Sequence, residues 1–143
     1  MASHYASRLL LRRLGALLYD ALILGGILML TSLVLVAARG GQAVPAGALW
    51  FQAFIGVQIV SYFVGFWALG GQTPGMRTWR LRLVGIDYQP VPAARAAWRL
   101  LVAVAVNAPA GAGFTRMLIS RDGRSLQDLI CGTDVLDVDN TPG

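Results

Sequence analysis

A chain of 143 residues that is 56% hydrophobic and 13% charged, with mean hydropathy +0.60, lies outside the range of soluble domains, where about a quarter of residues carry charge. The basic residues are all arginine and the acidic ones all aspartate, for a net charge of +5, but the arginines flank apolar runs, so the charge points to a membrane surface and not to nucleic acid. A lone His4 and a lone Cys131 exclude an intramolecular disulfide, a zinc site of ordinary type and a Ser-His-Asp triad within one chain, and no catalytic residue, metal or cofactor is expected.

Residues 1–13 hold Arg8, Arg12 and Arg13 and read as a cytoplasmic N-terminal segment. Leu14 to Ala38 follows with one formal charge, Asp20, and exceeds the ~20 residues that cross a ~30 Å hydrocarbon core as a helix. Its length and the second span behind it separate it from the core of a signal peptide, which runs to about 15 residues. A carboxylate at the centre of a span costs about 2.5–3.5 kcal/mol on insertion scales, so Asp20 requires a partner from another segment. Residues 39–47, with Pro45 and three glycines, turn the chain. Ala48 to Gly70 is an uncharged second span with Trp50 and Trp67 near its ends, where indole rings favour the headgroup level, and Gln52, Gln58 and Ser61 leave room for a weakly polar face toward the first helix.

Beyond Gly70 the chain turns polar and basic, with Arg77, Arg80, Arg82, Arg95 and Arg99 against Asp87 alone, whereas the first loop offers only Arg39. The positive-inside rule therefore puts this segment and the N-terminus in the cytoplasm of a bacterial plasma membrane. Arg80 to Ile86 alternates as a strand and stops at Asp87 and Pro90, and Ala93 to Arg99 opens a helix with Arg95 and Arg99 one turn apart. A third apolar segment, 100–119, carries Asn107, Pro109, Gly111 and Gly113 at its middle and Arg116 in its second half; it is expected to dip into the membrane and return. After a turn at Asp122-Gly123, Arg124 to Cys131 reads as a short amphipathic helix, and Thr133 to Val138 as a short strand for which Leu81 to Ile86 offers a partner. The fold class expected is an all-α membrane protein with two full transmembrane helices, at 14–38 and 48–70, a broken or re-entrant third hydrophobic segment, and room for a short cytoplasmic β-pair. A single membrane domain then covers 14–138, with a tail at 139–143.

Arg13, Ala16 and Asp20 share one helix face, but about 10 Å of rise separates Arg13 from Asp20, too far for a tight pair. Taken with GQTPGMRTWRLRLV at 71–84, Arg99, and RSLQDLICGTDVL at 124–136, this pattern resembles the RDD family of small membrane proteins, named for an arginine and two aspartates. The resemblance covers nearly the whole chain. It implies that Arg13 and Asp20 are the first-helix pair, that Asp128 is the aspartate of the tail, and that Gly71, Gln72, Thr73, Gly75 and Arg77 form the loop motif. Gln127 stands where the family frequently has histidine, and Met76-Arg77 replaces the frequent Gly-Lys. A transport role, sodium/proton exchange included, is the activity the resemblance suggests.

Two roles are open for Asp20: a carboxylate that binds proton and cation in turn, or a structural link that locks helices together. Asp20 lies about 9 Å below the start of its span and Arg99 at the start of the third segment, so Arg13, Asp20, Arg99 and Asp128 are expected to gather at the cytoplasmic end, with Arg99 as counter-charge to Asp20. The functional expectation is a transport-related or membrane assembly subunit, not an enzyme. Its partners would be the lipid bilayer and a second copy or another membrane protein, with Gly15, Gly25, Gly26 and Gly56 as close-approach surfaces. The alternative is a non-catalytic scaffold whose Arg-rich cytoplasmic loop binds a partner protein or anionic lipid.

Overall fold

The computed structural model describes residues 2–107 and 124–138, with the side chains of 7–106 and 124–138. Helix α1 runs from Ala2 to Ala38, and α2 from Leu49 to Gly70. After them come the short helix α3 (Pro74–Thr78), strand β1 (Leu81–Gly85), helix α4 (Ala93–Asn107), helix α5 (Leu126–Cys131) and strand β2 (Thr133–Asp137). From Ala2 onward residues 1–13 form the opening turns of α1, and no glycine or proline interrupts the run before Gly15. A helix of this length spans about 55 Å, well beyond a ~30 Å hydrocarbon core, so α1 has turns to spare outside the bilayer.

Ser7–Ala38 and Leu49–Gly70 are long and apolar enough to cross a membrane, and their most apolar stretches are only 6% and 11% buried. The core helix of a soluble protein would be mostly buried; here Leu22, Met29, Leu33, Leu49 and Leu69 all point outward, as lipid-facing side chains do. The two helices touch sparingly. Thr31 donates to Gln58 Oε1 at 3.0 Å, while Gln52 and Ser61 are exposed, so of the expected polar face only Gln58 meets α1. Gly25, Gly26 and Gly56 adjoin open space, but Gly15 does not: the Trp79 ring lies against it, 2.6 Å from where a Cβ would stand.

The packed core gathers where the first half of α1 and the end of α2 meet the later elements. Leu9 and Ala16 of α1, Met76 of α3, Leu81 and Leu83 of β1, Val91, Ala96 of α4 and Val135 of β2 form it, with Val64 and Trp67 of α2 against its edge. β1 and β2 pair antiparallel, Leu81 opposite Asp137 and Gly85 opposite Thr133. Leu81 and Leu83 point inward while Arg82 between them points out, the period of two that makes this stretch readable as a strand. The β-pair anticipated from the sequence is therefore present. It puts the chain before α4 and the chain after residue 123 on the same side of any membrane that α1 and α2 cross.

α4 presents Ala96, Arg99 and Val102 inward and Trp98, Leu101 and Val104 outward. Arg95 and Arg99, expected to share a face, part company: Arg95 is exposed and Arg99 buried. The helix ends at Asn107, and the break expected over Pro109, Gly111 and Gly113, with the returning arm at Arg116, lies outside the described residues.

Candidate functional site

The sequence-derived charge cluster divides into two groups. In the first, Arg13 from α1 and Arg99 from α4 converge on Asp128 of α5: Arg13 Nη1 lies 2.6 Å from Oδ2 and Arg99 Nη1 2.5 Å from Oδ1. Local sequence sets the carboxylate in place. Ser125 caps α5, its hydroxyl and backbone N–H reaching Asp128 Oδ2 at 2.7 and 3.1 Å in a reciprocal capping box. Arg99 also donates to Thr133 Oγ1 at 2.6 Å, and Arg13 to the Val135 carbonyl at 3.2 Å, so both guanidiniums are tied to β2. Asp128 is 1% exposed. Burial pushes its carboxyl up, but the Arg99 and Arg13 charges outweigh that and hold it well below the usual carboxylate range. Arg124 to Asp134 at 3.1 Å, and Arg12 to Asp137, extend the ionic seam to the surface.

The second group surrounds Asp20, and its composition corrects the expectation of a guanidinium partner. Among the described residues Asp20 makes no ion pair. Its Oδ1 accepts from Tyr62 Oη at 2.9 Å and from the Gly75 N–H at 2.8 Å, and its Oδ2 accepts from the Thr73 hydroxyl. The loop motif supplies two of these donors because of how it folds. Gly71 ends α2 in the left-handed region at φ 66, turning the chain back so that its carbonyl accepts from Leu83 N–H at 2.7 Å. Gln72 then donates to the Leu81 carbonyl at 2.8 Å, Thr73 caps α3 by accepting from Met76 N–H, and Pro74 takes the first helical position, where no N–H is needed. The free N–H of Gly75 at the next position is thereby aimed at Asp20. Arg77, the fifth motif residue, is exposed.

Arg13 and Asp20 sit on one face of α1, a turn-and-cap motif leads into an arginine strand, and a capped aspartate precedes β2. A model of the RDD family matches residues 8–132, a stretch that holds all of these elements up to Gly132. The chain belongs to the RDD family. No curated protein and no solved structure matches it. Its family and its two long apolar helices make it a membrane protein.

In this RDD protein the two groups face a common cavity of about 340 Å³ whose walls include Arg13, Asp20, Trp67, Arg99 and Gln127 together with Leu17, Phe63 and Val104. Trp67, near the end of α2, lies under Arg99, whose guanidinium carbon is 5.6 Å from the ring centre. No group of three His, Cys, Asp or Glu side chains suited to a metal occurs among the described residues, and burial pushes the Cys131 thiol up.

Sequence reasoning passed over Ser125 and Tyr62, and read Thr133 only as the start of a strand and Trp67 only as a ring near the end of a span. The capping box Ser125-x-x-Asp128 was available as a signal, as was Thr73-Pro74 at a helix start; nothing in an uncharged span marks Tyr62. Tyr62→Phe removes one of three donors to Asp20 and leaves the ring in place. It is expected to lower stability by about 1–2 kcal/mol, read as a thermal shift in detergent.

Proposed function

We propose that this RDD protein is a non-catalytic assembly subunit of the bacterial plasma membrane, its N-terminus cytoplasmic. One observation carries the reading: both buried carboxylates are saturated by donors of their own chain, Asp128 by two arginines and Ser125, Asp20 by Tyr62, Thr73 and Gly75. Used this way the charges join α1, α4, α5 and the sheet into one rigid cap. The cap turns Arg77, Arg82 and Arg95 outward as a basic surface for anionic headgroups or an acidic partner, and the positive-inside rule places that surface in the cytoplasm. The lipid-facing sides of α1 and α2, with Gly25, Gly26 and Gly56 open to close approach, suit association with a second copy.

A second reading, cation/proton exchange, is favoured by one feature: Asp20 lines the cavity. A flux assay separates the two. The purified protein in liposomes is given imposed sodium, potassium and pH gradients, with an ionophore as positive control. No flux above empty liposomes is expected. A gradient collapse that Asp20→Asn abolishes would establish exchange in place of assembly.

A further inference from the structure

The cavity between α1, α2 and α4 is walled by polar and apolar side chains, and the polar ones include donors without acceptors. Among the described residues, the Nε–H of Arg13, the Nε–H of Arg99 and the indole N–H of Trp67 are buried and have no hydrogen-bond partner. All three residues line the same cavity, and the Arg13 and Arg99 side chains are each 6% exposed. Leaving such donors unmet is costly, and the two that belong to charged groups most of all. Asp128, shared by Arg13 and Arg99, and Asp20 on the cavity wall balance the two guanidinium charges, so it is the unmet donors and not an excess of charge that mark the pocket. Asp20 lies about two turns further along α1 and is occupied by its own three donors.

The apolar part of the wall is formed by Leu17, Ile59, Phe63, Leu100 and Val104, and Leu17 and Val104 are also exposed on the outer surfaces of α1 and α4. The cavity therefore opens beside side chains that face hydrocarbon. A pocket with three buried, unmet N–H donors, two of them on arginines, and apolar walls that reach the outer helix surfaces suits one class of ligand. We propose that it binds one acyl-chain oxyanion, a fatty carboxylate or an anionic phospholipid, with the head oxygens at Arg13, Arg99 and Trp67 and one chain leaving past Leu17 and Val104. This goes beyond the assembly reading and stands or falls separately from it, since lipid binding and ion flux are measured independently.

Native mass spectrometry of the full chain in neutral detergent tests the proposal, with phosphatidylglycerol, oleate, phosphatidylcholine and inorganic phosphate as separate probes. A single adduct is expected with phosphatidylglycerol or oleate, and the stronger of the two names the head group. Phosphatidylcholine is expected to bind at least about tenfold more weakly. Trp67→Phe, which removes one donor and keeps an aromatic ring, should weaken the anionic adduct about tenfold and leave phosphatidylcholine unchanged. Ala103→Leu, which fills the wall from α4, should weaken every acyl ligand, with an unaltered melting profile showing that the fold persists. Equal binding of phosphatidylcholine, adducts indifferent to both substitutions, or inorganic phosphate alone binding with the same dependence on Trp67 would each overturn the assignment.

Discussion

Gly75→Ala is expected to lower the stability of the protein by several kcal/mol, about 2.5–6. A Cβ at this position would stand against the Ala16 backbone carbonyl and 2.8 Å from the Asp20 carboxyl carbon and Oδ2, and a backbone carbonyl cannot rotate away as a side chain can. Overpacking of this kind costs about 1–3 kcal/mol. Any shift that relieves it also lengthens the Gly75 N–H bond to Asp20, a bond to a charged group worth about 1.5–3 kcal/mol. Together the two losses come to about 2.5–6 kcal/mol, which reaches the lower end of the whole stability of a small domain, about 5–15 kcal/mol. The check is the melting temperature of the purified protein by size-exclusion after heating, with Gly25→Ala as control. Nothing lies within 4 Å of a Cβ at Gly25, so the control should melt like the parent.

Asp128→Ala has the second large effect. It leaves the Arg13 and Arg99 guanidiniums buried together with their shared carboxylate gone, and breaking a buried ion pair from one side costs about 3–5 kcal/mol. The triple replacement Arg13→Met, Asp128→Leu, Arg99→Met should recover much of that loss, because apolar residues of similar volume often substitute for a buried charge network at little cost. Recovery of stability without recovery of biological activity would show that the charges serve more than folding. The same carboxylate sets a pH dependence. Its pKa is lower in the folded protein than in the unfolded chain, so its contribution is fully present above the unfolded value of about 4 and is lost as pH falls below it toward the folded value. An acid titration of the melting temperature should therefore show a fall below about pH 4 that is absent in the triple variant.

What could be read from the residues, and what could not, follows from the range of each signal. The spans declare themselves by uninterrupted apolar length, and the β-pair by the alternation of Leu81 and Leu83 against Arg82 and of Thr133 and Val135 against Asp134. The family pattern singles out Arg13 and Asp128, and the fold brings them together. The partner of Asp20 was not legible, because the search for a counter-charge looks for arginines, whereas the carboxylate is met by two hydroxyls and a backbone N–H. Such donors carry no mark in composition; they become available only when Gly71 and the Thr73-Pro74 cap turn the chain toward α1. The continuation of α1 back to Ala2 was obscured for a similar reason. Arg8, Arg12 and Arg13 interrupt the apolar run without ending the helix.

The central claim is that the two halves of the chain close over one membrane face through β1, β2 and the Asp128 lock. Cysteine cross-linking in intact membranes addresses it most directly, using Arg82→Cys with Leu136→Cys in a Cys131→Ala background. These positions are register partners, and Cα atoms of a hydrogen-bonded antiparallel pair stand about 5.5 Å apart, within the ~4.4–6.8 Å that a disulfide bridges. Mild oxidation is expected to give an intramolecular cross-link that shifts gel mobility, to give little with Arg82→Cys and Asp137→Cys on opposite faces of the sheet, and to lose yield when Asp128→Ala is added. No cross-link at 82 and 136, or equal yield from both pairs, would contradict it.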